Sequence, residues 1–318
     1  MNPQVKPSAI FPKDLGAFEN QGSFRHKGSF QAPITRFAPS PTGYLHVGHA
    51  FAAAQAFDFA KENSGTCLLR IEDIDHTRCR PEFDVAILED LAWLGFSWPE
   101  PVRRQSEHMQ DYTSILDNLR ARGLIYPCFL TRLELAVQTS DGKIPYRCQD
   151  LLRAESELKP RLAKGERPAW RLSIPKAASE LCGDIFYDMY DGDNGALQRH
   201  RVAFDGLSDM VLARKDIETS YFLANTYDDA LQDITHVVRG ADFMDITPLQ
   251  VILQKLMGWE TPIYFHHPLL RAPSGKKLAK GNKDMPIRDL RIEGQSPDHV
   301  LDMAHKISKG VIMKTEPE

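Results

Sequence analysis

Among the residues whose side chains could take part in a reaction, the clearest candidates are two histidines in the tetrapeptide His-Val-Gly-His at positions 46–49. They follow an apolar, strand-like run from Ile34 to Ala38 and a turn rich in proline and glycine, and a helical run, 47–63, begins beside them. The first N–H groups of a helix lack partners within the helix, and the helix dipole favours an anion there. Two imidazoles at that end could donate hydrogen bonds to a phosphoryl group, and Gly48 would let a nucleotide base approach the backbone. The pattern therefore predicts a strand, loop and helix that bind phosphate.

Two other interpretations of His46 and His49 stay open on these residues alone. The pair could be surface residues that cap the helix, which is the commoner role of an isolated H-x-x-H. It could also supply two metal ligands, although such a pair usually comes with a further acidic or histidine ligand nearby. Only a second element far along the chain, the lysine-rich segment 276–283, separates these interpretations.

The elements that must position these residues alternate between strand and helix from residue 33 to about 125. A buried strand is predicted over 66–72, and it ends in the acidic cluster Glu72 to Asp75. Pro81 begins one helix, which is predicted to run to Gly95, and Ser106 is the predicted N-cap of another. Such alternation is typical of a doubly wound parallel α/β sheet, in which ligands bind beyond the carboxyl ends of the strands. The histidine segment and the acidic cluster are therefore expected at one edge of the sheet.

Four regions are expected along the chain. Residues 1–32 are polar, with Pro, Gly and Ser, and are predicted to be a flexible leader, and 33–125 form the first half of the sheet domain. The pattern loosens over 126–210, where a smaller inserted α+β domain is expected. Its basic residues could face the phosphates of a nucleic acid or form an ordinary solvated surface. Strand and helix patterns return in 211–318, which ends in a short helical segment. Strands of the main sheet are predicted over 209–212 and 269–271.

Composition limits the classes of function. The net charge is -4, so any nucleic-acid partner would have to be held by local basic patches. The five cysteines are odd in number and widely spaced, which favours reduced thiols and a cytoplasmic protein. No signal peptide is evident, and no apolar run approaches the ~20 residues that a membrane span needs.

Two segments together resemble the class I aminoacyl-tRNA synthetases. Residues 46–49 stand in the place of the family's HIGH signature, and Lys277 to Gly281 resembles the KMSKS loop, with Ala279 and Gly281 replacing serines. Four further segments are near-verbatim glutamyl-tRNA synthetase sequences: 35–43, 69–75, 221–225 and 235–242. The resemblance covers about residues 33 to 283 and is best to the shortened paralogous family, the glutamyl-Q tRNA(Asp) synthetases. The chain ends soon after the lysine loop, so no anticodon-binding domain is expected.

This resemblance implies a Rossmann-like fold and an ATP-dependent ligase reaction. L-Glutamate and ATP, with Mg2+, would give glutamyl-adenylate, and the glutamyl group would pass to queuosine in the anticodon of tRNA(Asp). A monomer with no membrane partner is expected. The implied catalytic residues are His46, His49 and Lys280, and the implied ATP-binding residues are His46, Gly48, His49, Lys277 and Lys280. The implied glutamate-binding residues are Arg36, Ala38, Ser40, Glu72, Tyr221, Asn225 and Arg239.

The chemistry of glutamate matches several of these side chains. Arg36 and Arg239, with the Tyr221 hydroxyl, could hold the side-chain carboxylate by charge-assisted hydrogen bonds and reject glutamine. Glu72 is the natural partner of the substrate ammonium, and Ser40 can add a hydrogen bond. Each has a structural alternative: Glu72 could cap a turn, Arg239 could belong to an ion pair, and Tyr221 could be a core aromatic residue.

A zinc site is the feature in which this sequence departs from the family. The shortened paralogues often bind Zn2+ through C-x-C, a tyrosine and a later cysteine. Here Cys128 is followed by Phe129-Leu130, and Tyr146 lies two residues before Cys148. Two cysteines and a phenol fall short of the four ligands of a structural zinc, so no metal is expected.

Three other functions compete with the tRNA-modifying ligase. The chain could be a truncated glutamyl-tRNA synthetase that charges a tRNA 3′ end. It could be a small-molecule nucleotidyltransferase that shares the H-x-x-H sheet. An inactive tRNA-binding module is the third alternative, because the lysine loop lacks the serines of the family motif.

Overall fold

A computed structural model describes residues 32–139, 146, 159–191, 195–270 and 286–308. The strands are β1 (Ile34–Phe37), β2 (Thr66–Ile71), β3 (Arg103–Arg104), β4 (Ile125–Cys128), β5 (Ala169–Leu172), β6 (Phe186–Tyr190), β7 (Leu197–Arg201), β8 (Met210–Ala213), β9 (His236–Gly240) and β10 (Ile263–His267). The helices are α1 (Val47–Glu62), α2 (Pro81–Trp93), α3 (Met109–Ala121), α4 (Arg132–Gln138), α5 (Ile174–Leu181), α6 (Tyr221–Leu231), α7 (Thr247–Met257), α8 (Ile287–Ile292) and α9 (Pro297–Ser308).

Two groups of strands lie side by side and form the platform for the site. The first has the order β1-β2-β3 and is parallel, and the second has the order β7-β6-β10-β9, with β9, β10 and β6 parallel. They meet where the backbone N–H of Thr235 donates to the carbonyl oxygen of Ile34 at 3.0 Å. The carboxyl ends of β1, β2, β9 and β10 therefore face one edge. The prediction of a Rossmann-like parallel sheet is confirmed.

Helix α1 packs closely on this sheet because its buried face is built from small residues. Ala50, Ala53, Ala56 and Ala60 are almost fully buried, and they lie in one apolar core with residues of β1 and β2. Small side chains let a helix backbone approach its neighbours, and alanine has the highest helix propensity. The close packing fixes the start of α1, where the histidines lie. None of the helices in the described ranges is long and apolar enough to cross a membrane.

The strand assignments differ from the sequence expectations in the region 126–210. Strand β6 lies in that range, yet it pairs in parallel with β10 and extends the main sheet. Its aromatic residues explain this, because the ring of Tyr187 packs edge-on against Tyr264, with 5.8 Å between the ring centroids. Strand β8 was expected to return to the main sheet, but it pairs with β5 in a separate antiparallel sheet of order β4-β5-β8.

Two local predictions were wrong. Ser106 is not the N-cap of α3, because its N–H and hydroxyl donate to the Asp73 carboxylate at 2.8 and 2.6 Å, and a short 3₁₀ helix, Gln105–His108, precedes α3. A strand was also expected from Leu269, but residues 268–270 are irregular in the structure. In both places a tertiary contact or the end of the sheet overrides the local pattern.

Candidate active site

The two histidines form the first turn of α1 and cap it with their own side chains. His46 is the N-cap residue, and its Nδ1 accepts the backbone N–H of Gly48 at 3.1 Å. The Nδ1 of His49 accepts the backbone N–H of His46 at 3.2 Å, so the pair makes a reciprocal capping box. The two ring centroids are 3.9 Å apart. Helix capping, one of the alternative interpretations, is therefore part of their role.

This capping geometry also determines which ring nitrogen carries a proton. A neutral imidazole has one donor nitrogen and one acceptor nitrogen, and Nδ1 is the acceptor in both residues. The Nε2 atoms of His46 and His49 must then carry the hydrogen, which makes each an N–H donor. A capped helix N-terminus with two such donors is suited to a phosphate group.

Gly48 is needed here because of its own neighbour. A Cβ atom added at Gly48 would lie 2.9 Å from Cε1 of His46, closer than real contacts allow. The sequence suggested that Gly48 leaves room for a nucleotide base. In the structure the nearest group is the His46 imidazole, so the glycine first of all permits the capping geometry.

A pocket lies between the start of α1 and the ends of β9 and β10. It is lined by His46 and Gly48 on one side and by Gly240, His267 and Leu270 on the other. Lys277 and Lys280, the predicted lysines of the second motif, lie outside the described residues. The chain is next described at Pro286, which forms an isolated β-bridge with His46, and Ile287 donates its N–H to Leu45 at 2.8 Å. The described residues on either side of this gap are therefore close to the start of α1: Leu270 lines the pocket, and Pro286 pairs with His46.

A second group of polar residues lies beyond the ends of β1 and β2 and on α6. Glu72 is buried, and its Oε1 accepts a hydrogen bond from Asn225 Nδ2 at 2.7 Å. Asn225 is oriented in turn by Gln250, whose amide donates to its Oδ1 at 3.0 Å. Burial raises the pKa of Glu72, although Arg70 and Asn225 oppose the shift. The acidic side chain is thus held by Asn225 of α6, which Gln250 of α7 orients in turn.

Arg36 is also buried in this group, on the inner strand β1. Its Nε donates to Asp229 Oδ1 at 2.9 Å, and its Nη1 reaches the carbonyl oxygen of Val238 at 3.4 Å. The sequence assigned Arg36 to a substrate carboxylate, and the structure shows that it also has a protein partner. Ala38 and Ser40 follow it in the loop, where Ala38 is partly buried and Ser40 is exposed.

Arg239, at the end of β9, combines burial with an incomplete set of partners. Its Nη2 donates to the Thr247 hydroxyl at 2.8 Å, and its Nε donates to Nε2 of His266 at 3.3 Å. Its Nη1 is buried and has no hydrogen-bond partner among the described residues. A buried charged donor without a partner is costly, which is expected where a ligand completes the site.

Tyr221 and His266 complete the surroundings of Arg239. Burial raises the pKa of Tyr221 to about 12, with Arg239 acting in the opposite direction, so the phenol stays protonated. Burial and then the charge of Arg239 lower the pKa of His266 to about 3, so this imidazole stays neutral and can accept a hydrogen bond. The ring of Tyr221 lies 5.5 Å from that of Phe243, beside the guanidinium. Both groups therefore present neutral polar atoms next to a fixed cation.

The remnants of the zinc site lie away from this pocket, in the separate antiparallel sheet. Cys128 is buried, and its Sγ is 3.8 Å from the hydroxyl oxygen of Tyr146. Cys148 lies outside the described residues. Within the described ranges no group of three or more His, Cys, Asp or Glu side chains could hold a metal ion. The absence of zinc stays a prediction.

Three residues that organise the site were not among those predicted from the sequence. Arg70, Asp229 and His266 are buried and contact predicted site residues directly. Arg70 and Asp229 fall within or next to the family-like segments, but their types alone predict only ordinary charged residues. His266 is the last-but-one residue of β10, and nothing in the pattern of this buried strand indicates that its histidine contacts the site. No local pattern could have identified their partners.

Comparison with known proteins agrees with this geometry. Residues 34–308 match the family model for tRNA synthetases class I (E and Q), catalytic domain. The chain is 41% identical over 275 residues to a glutamyl-Q tRNA(Asp) synthetase of Rhodobacter capsulatus, with 83% of this chain and 96% of the relative covered. It is 39% identical to one of Nitratidesulfovibrio vulgaris, with 81% of each covered.

The chain is also similar in fold to a solved structure. The glutamate tRNA ligase of Elizabethkingia meningosepticum aligns with a TM-score of 0.63 and 30% identity over 83% of this chain. The chain spans about half the length of that ligase, since 53% of the ligase is covered. The chain therefore belongs to the class I tRNA synthetase family of the E and Q type. Its reaction class is that of an ATP-dependent ligase.

Proposed function

We propose that this protein uses ATP to activate L-glutamate and transfers the glutamyl group to queuosine in the anticodon of tRNA(Asp). The observation that carries the first half is the presence of a buried cation, Arg239, and a buried acid, Glu72, which both act electrostatically on Tyr221. Nη1 of Arg239 has no hydrogen-bond partner within the described structure, and Glu72 is oriented by Asn225. The relatives in Rhodobacter capsulatus and Nitratidesulfovibrio vulgaris, which the chain matches over most of their length, are named glutamyl-Q tRNA(Asp) synthetase, and this supports the second half.

Arg239 and Glu72 suit the two ends of glutamate. The side-chain carboxylate would accept hydrogen bonds from Arg239 and from the Tyr221 hydroxyl, with Arg36 adding positive charge behind them. The substrate ammonium would donate to Glu72 and to Ser40. Glutamine would bind poorly, because its amide N–H₂ would face a guanidinium that has only donors.

The histidine turn would act on ATP. A glutamate α-carboxylate oxygen attacks the α-phosphorus, and pyrophosphate leaves with the electrons of the broken P–O bond. The Nε2–H donors of His46 and His49, with Lys280 and Lys277 of the lysine loop, would stabilise charge on the phosphate oxygens. Mg2+ would accompany ATP and neutralise part of that charge. The queuosine base then takes the glutamyl group from the adenylate, and AMP is released.

The expected domains would have separate roles in this proposed reaction. Residues 33–125 and 211–318 would supply the activation site, and the insertion, 126–210, would contact the tRNA through its Lys and Arg residues, so tRNA binding should weaken with salt. We propose that the protein acts in the cytoplasm as a monomer, which size-exclusion chromatography with light scattering would test.

A second function has support from similarity alone. The chain is 38% identical to a glutamate–tRNA ligase 2 of Gluconobacter oxydans, which would fit charging of a 3′ end. The two functions are separated by incubating the protein with ATP, labelled glutamate and one of three RNAs. These are tRNA(Asp) with queuosine, tRNA(Asp) without queuosine, and tRNA(Glu). Label on the first RNA alone supports the proposal, and equal label on both forms of tRNA(Asp) contradicts it.

A further inference from the structure

We infer that Asp229 is a positioning residue for glutamate, because one of its oxygen atoms holds both Arg36 and Arg70. This inference rests on the proposed function, since Arg36 and Glu72 are taken to face the substrate. It adds a residue that contacts neither substrate in the proposed arrangement but sets the position of two groups that do.

The contacts converge on a single atom. Asp229 Oδ1 accepts Arg36 Nε at 2.9 Å and Arg70 Nη2 at 2.8 Å. The same Nη2 of Arg70 lies 3.4 Å from Glu72 Oε1. All four side chains are at least nine-tenths buried. One carboxylate oxygen therefore links the cation proposed for the substrate carboxylate to the anion proposed for the substrate ammonium.

The elements that carry these residues explain why the link matters. Arg36 is on β1, Arg70 and Glu72 are on or just after β2, and Asp229 is on α6. Helix α6 also carries Tyr221 and Asn225 at its other end. A shift of α6 against the two strands would move Tyr221 and Asn225 relative to Arg36 and Glu72, and Asp229 holds the helix to both strands.

The buried charges around position 229 explain why a carboxylate is needed there. Arg36 and Arg70 are two buried cations, and Asp229 and Glu72 are two buried anions. Burial would raise the pKa of Asp229, but the two guanidinium groups lower it below its ordinary value, so the carboxylate stays charged. Asp228 lies 3.9 Å from Arg70 Nε, but Glu72 is the other carboxylate within hydrogen-bond distance of Arg70 Nη2 among the described residues. If Asp229 becomes an amide, Arg70 is therefore drawn towards Glu72. Glu72 is then less available to a substrate ammonium.

The neighbouring residue Asp228 provides a matched control. It is on the same helix and is fully buried, but it accepts hydrogen bonds from Arg103 at 2.9 Å, Gln105 at 2.8 Å and Tyr112 at 3.0 Å. Its nearest approach to Arg70 is 3.9 Å, to Nε, and no contact with Arg36 or Glu72 is seen in the described part of the chain. Loss of its charge should affect folding without changing the glutamate-facing groups.

The test is glutamate-dependent exchange of labelled pyrophosphate into ATP, with the KM for glutamate and the KM for ATP measured separately. We expect Asp229→Asn to raise the glutamate KM by roughly 10- to 100-fold and to change the ATP KM less than about two-fold, since buried charge-assisted contacts are worth about this much. Asp229→Glu should recover part of the loss. Asp228→Asn should lower the thermal midpoint and leave the glutamate KM within about three-fold of wild type.

Three outcomes would overturn the inference. A folded Asp229→Asn protein with a normal glutamate KM would do so, and so would an equal rise in the Asp228→Asn protein. If Asp229→Asn does not fold, Arg70→Lys replaces it, because lysine keeps the charge but lacks the planar fork of N–H donors that contacts Asp229 and Glu72. A normal glutamate KM in that variant also overturns the inference. If wild type itself shows no glutamate-dependent exchange, the proposed function fails, and this result is distinct from a normal wild type with normal variants.

Discussion

Replacing Arg239 with methionine should weaken glutamate use strongly while leaving the fold nearly as stable as before. Its Nη1 has no partner among the described residues, and a substrate carboxylate would supply one. A charge-assisted hydrogen bond contributes about 1.5–3 kcal/mol. Because about 1.4 kcal/mol is a factor of ten, loss of one such bond corresponds to a roughly 10- to 150-fold lower kcat/KM for glutamate.

The effect on folding should be small for a separate reason. Arg239→Met loses hydrogen bonds to Thr247 and His266, but it also removes a buried cation whose desolvation opposes folding. Methionine fills a similar volume, so the free energy of unfolding should change by less than about 2 kcal/mol. Urea unfolding would measure this change directly.

Pyrophosphate exchange at varied glutamate and varied ATP would measure the functional effect. The ATP KM should stay close to that of wild type. The control is Arg104→Met, since Arg104 pairs with Asp84 at 2.7 Å on a partly exposed surface and should leave both constants unchanged. A folded Arg239→Met protein that uses glutamate as well as wild type would refute the assignment of Arg239 to the substrate.

Three further predictions concern other parts of the structure. Gly48→Ala should displace the His46 ring, since an added Cβ would lie 2.9 Å from it, and single-turnover adenylate formation should slow about tenfold or more with little change in the glutamate KM. Because burial raises the pKa of Glu72, the glutamate KM should rise as the pH falls, beginning above the usual carboxyl range, and Glu72→Gln should abolish this dependence. Burial lowers the pKa of His236 from 6.5 to about 4, so the unfolded chain takes up the proton first and stability should fall by on the order of 3 kcal/mol between pH 6.5 and 4. Urea titrations should show a flatter dependence in His236→Gln but not in a variant of the exposed His299.

The parts of the fold that could be predicted were those with strong local periodicity. The strand, turn and helix around the histidines, and the acidic end of β2, follow from runs of apolar residues and from proline and glycine. Helix bounds were close for the same reason: the helix after Pro81 was expected to run to Gly95, and it ends at Trp93. Such patterns are set within one segment, so a single sequence carries them.

The polar connections within the site could not be predicted, because they join distant segments. Arg36 and Asp229 are 193 residues apart in sequence, and Arg70 and Asp229 are 159 apart. Which carboxylate meets which guanidinium depends on how α6 packs across β1 and β2. The same limit explains β6, whose place beside β10 is decided by tyrosine packing between strands and not by its own pattern.

The measurement that tests the central claim most directly is the identity of the nucleoside that carries glutamate. The protein would be incubated with ATP, labelled glutamate and tRNA(Asp) that contains queuosine, and the RNA would then be digested to nucleosides and analysed by mass spectrometry. The proposed function predicts one labelled product, queuosine increased in mass by a glutamyl group. Label found only on the adenosine of the 3′ end would contradict it and would identify the protein as a tRNA-charging ligase.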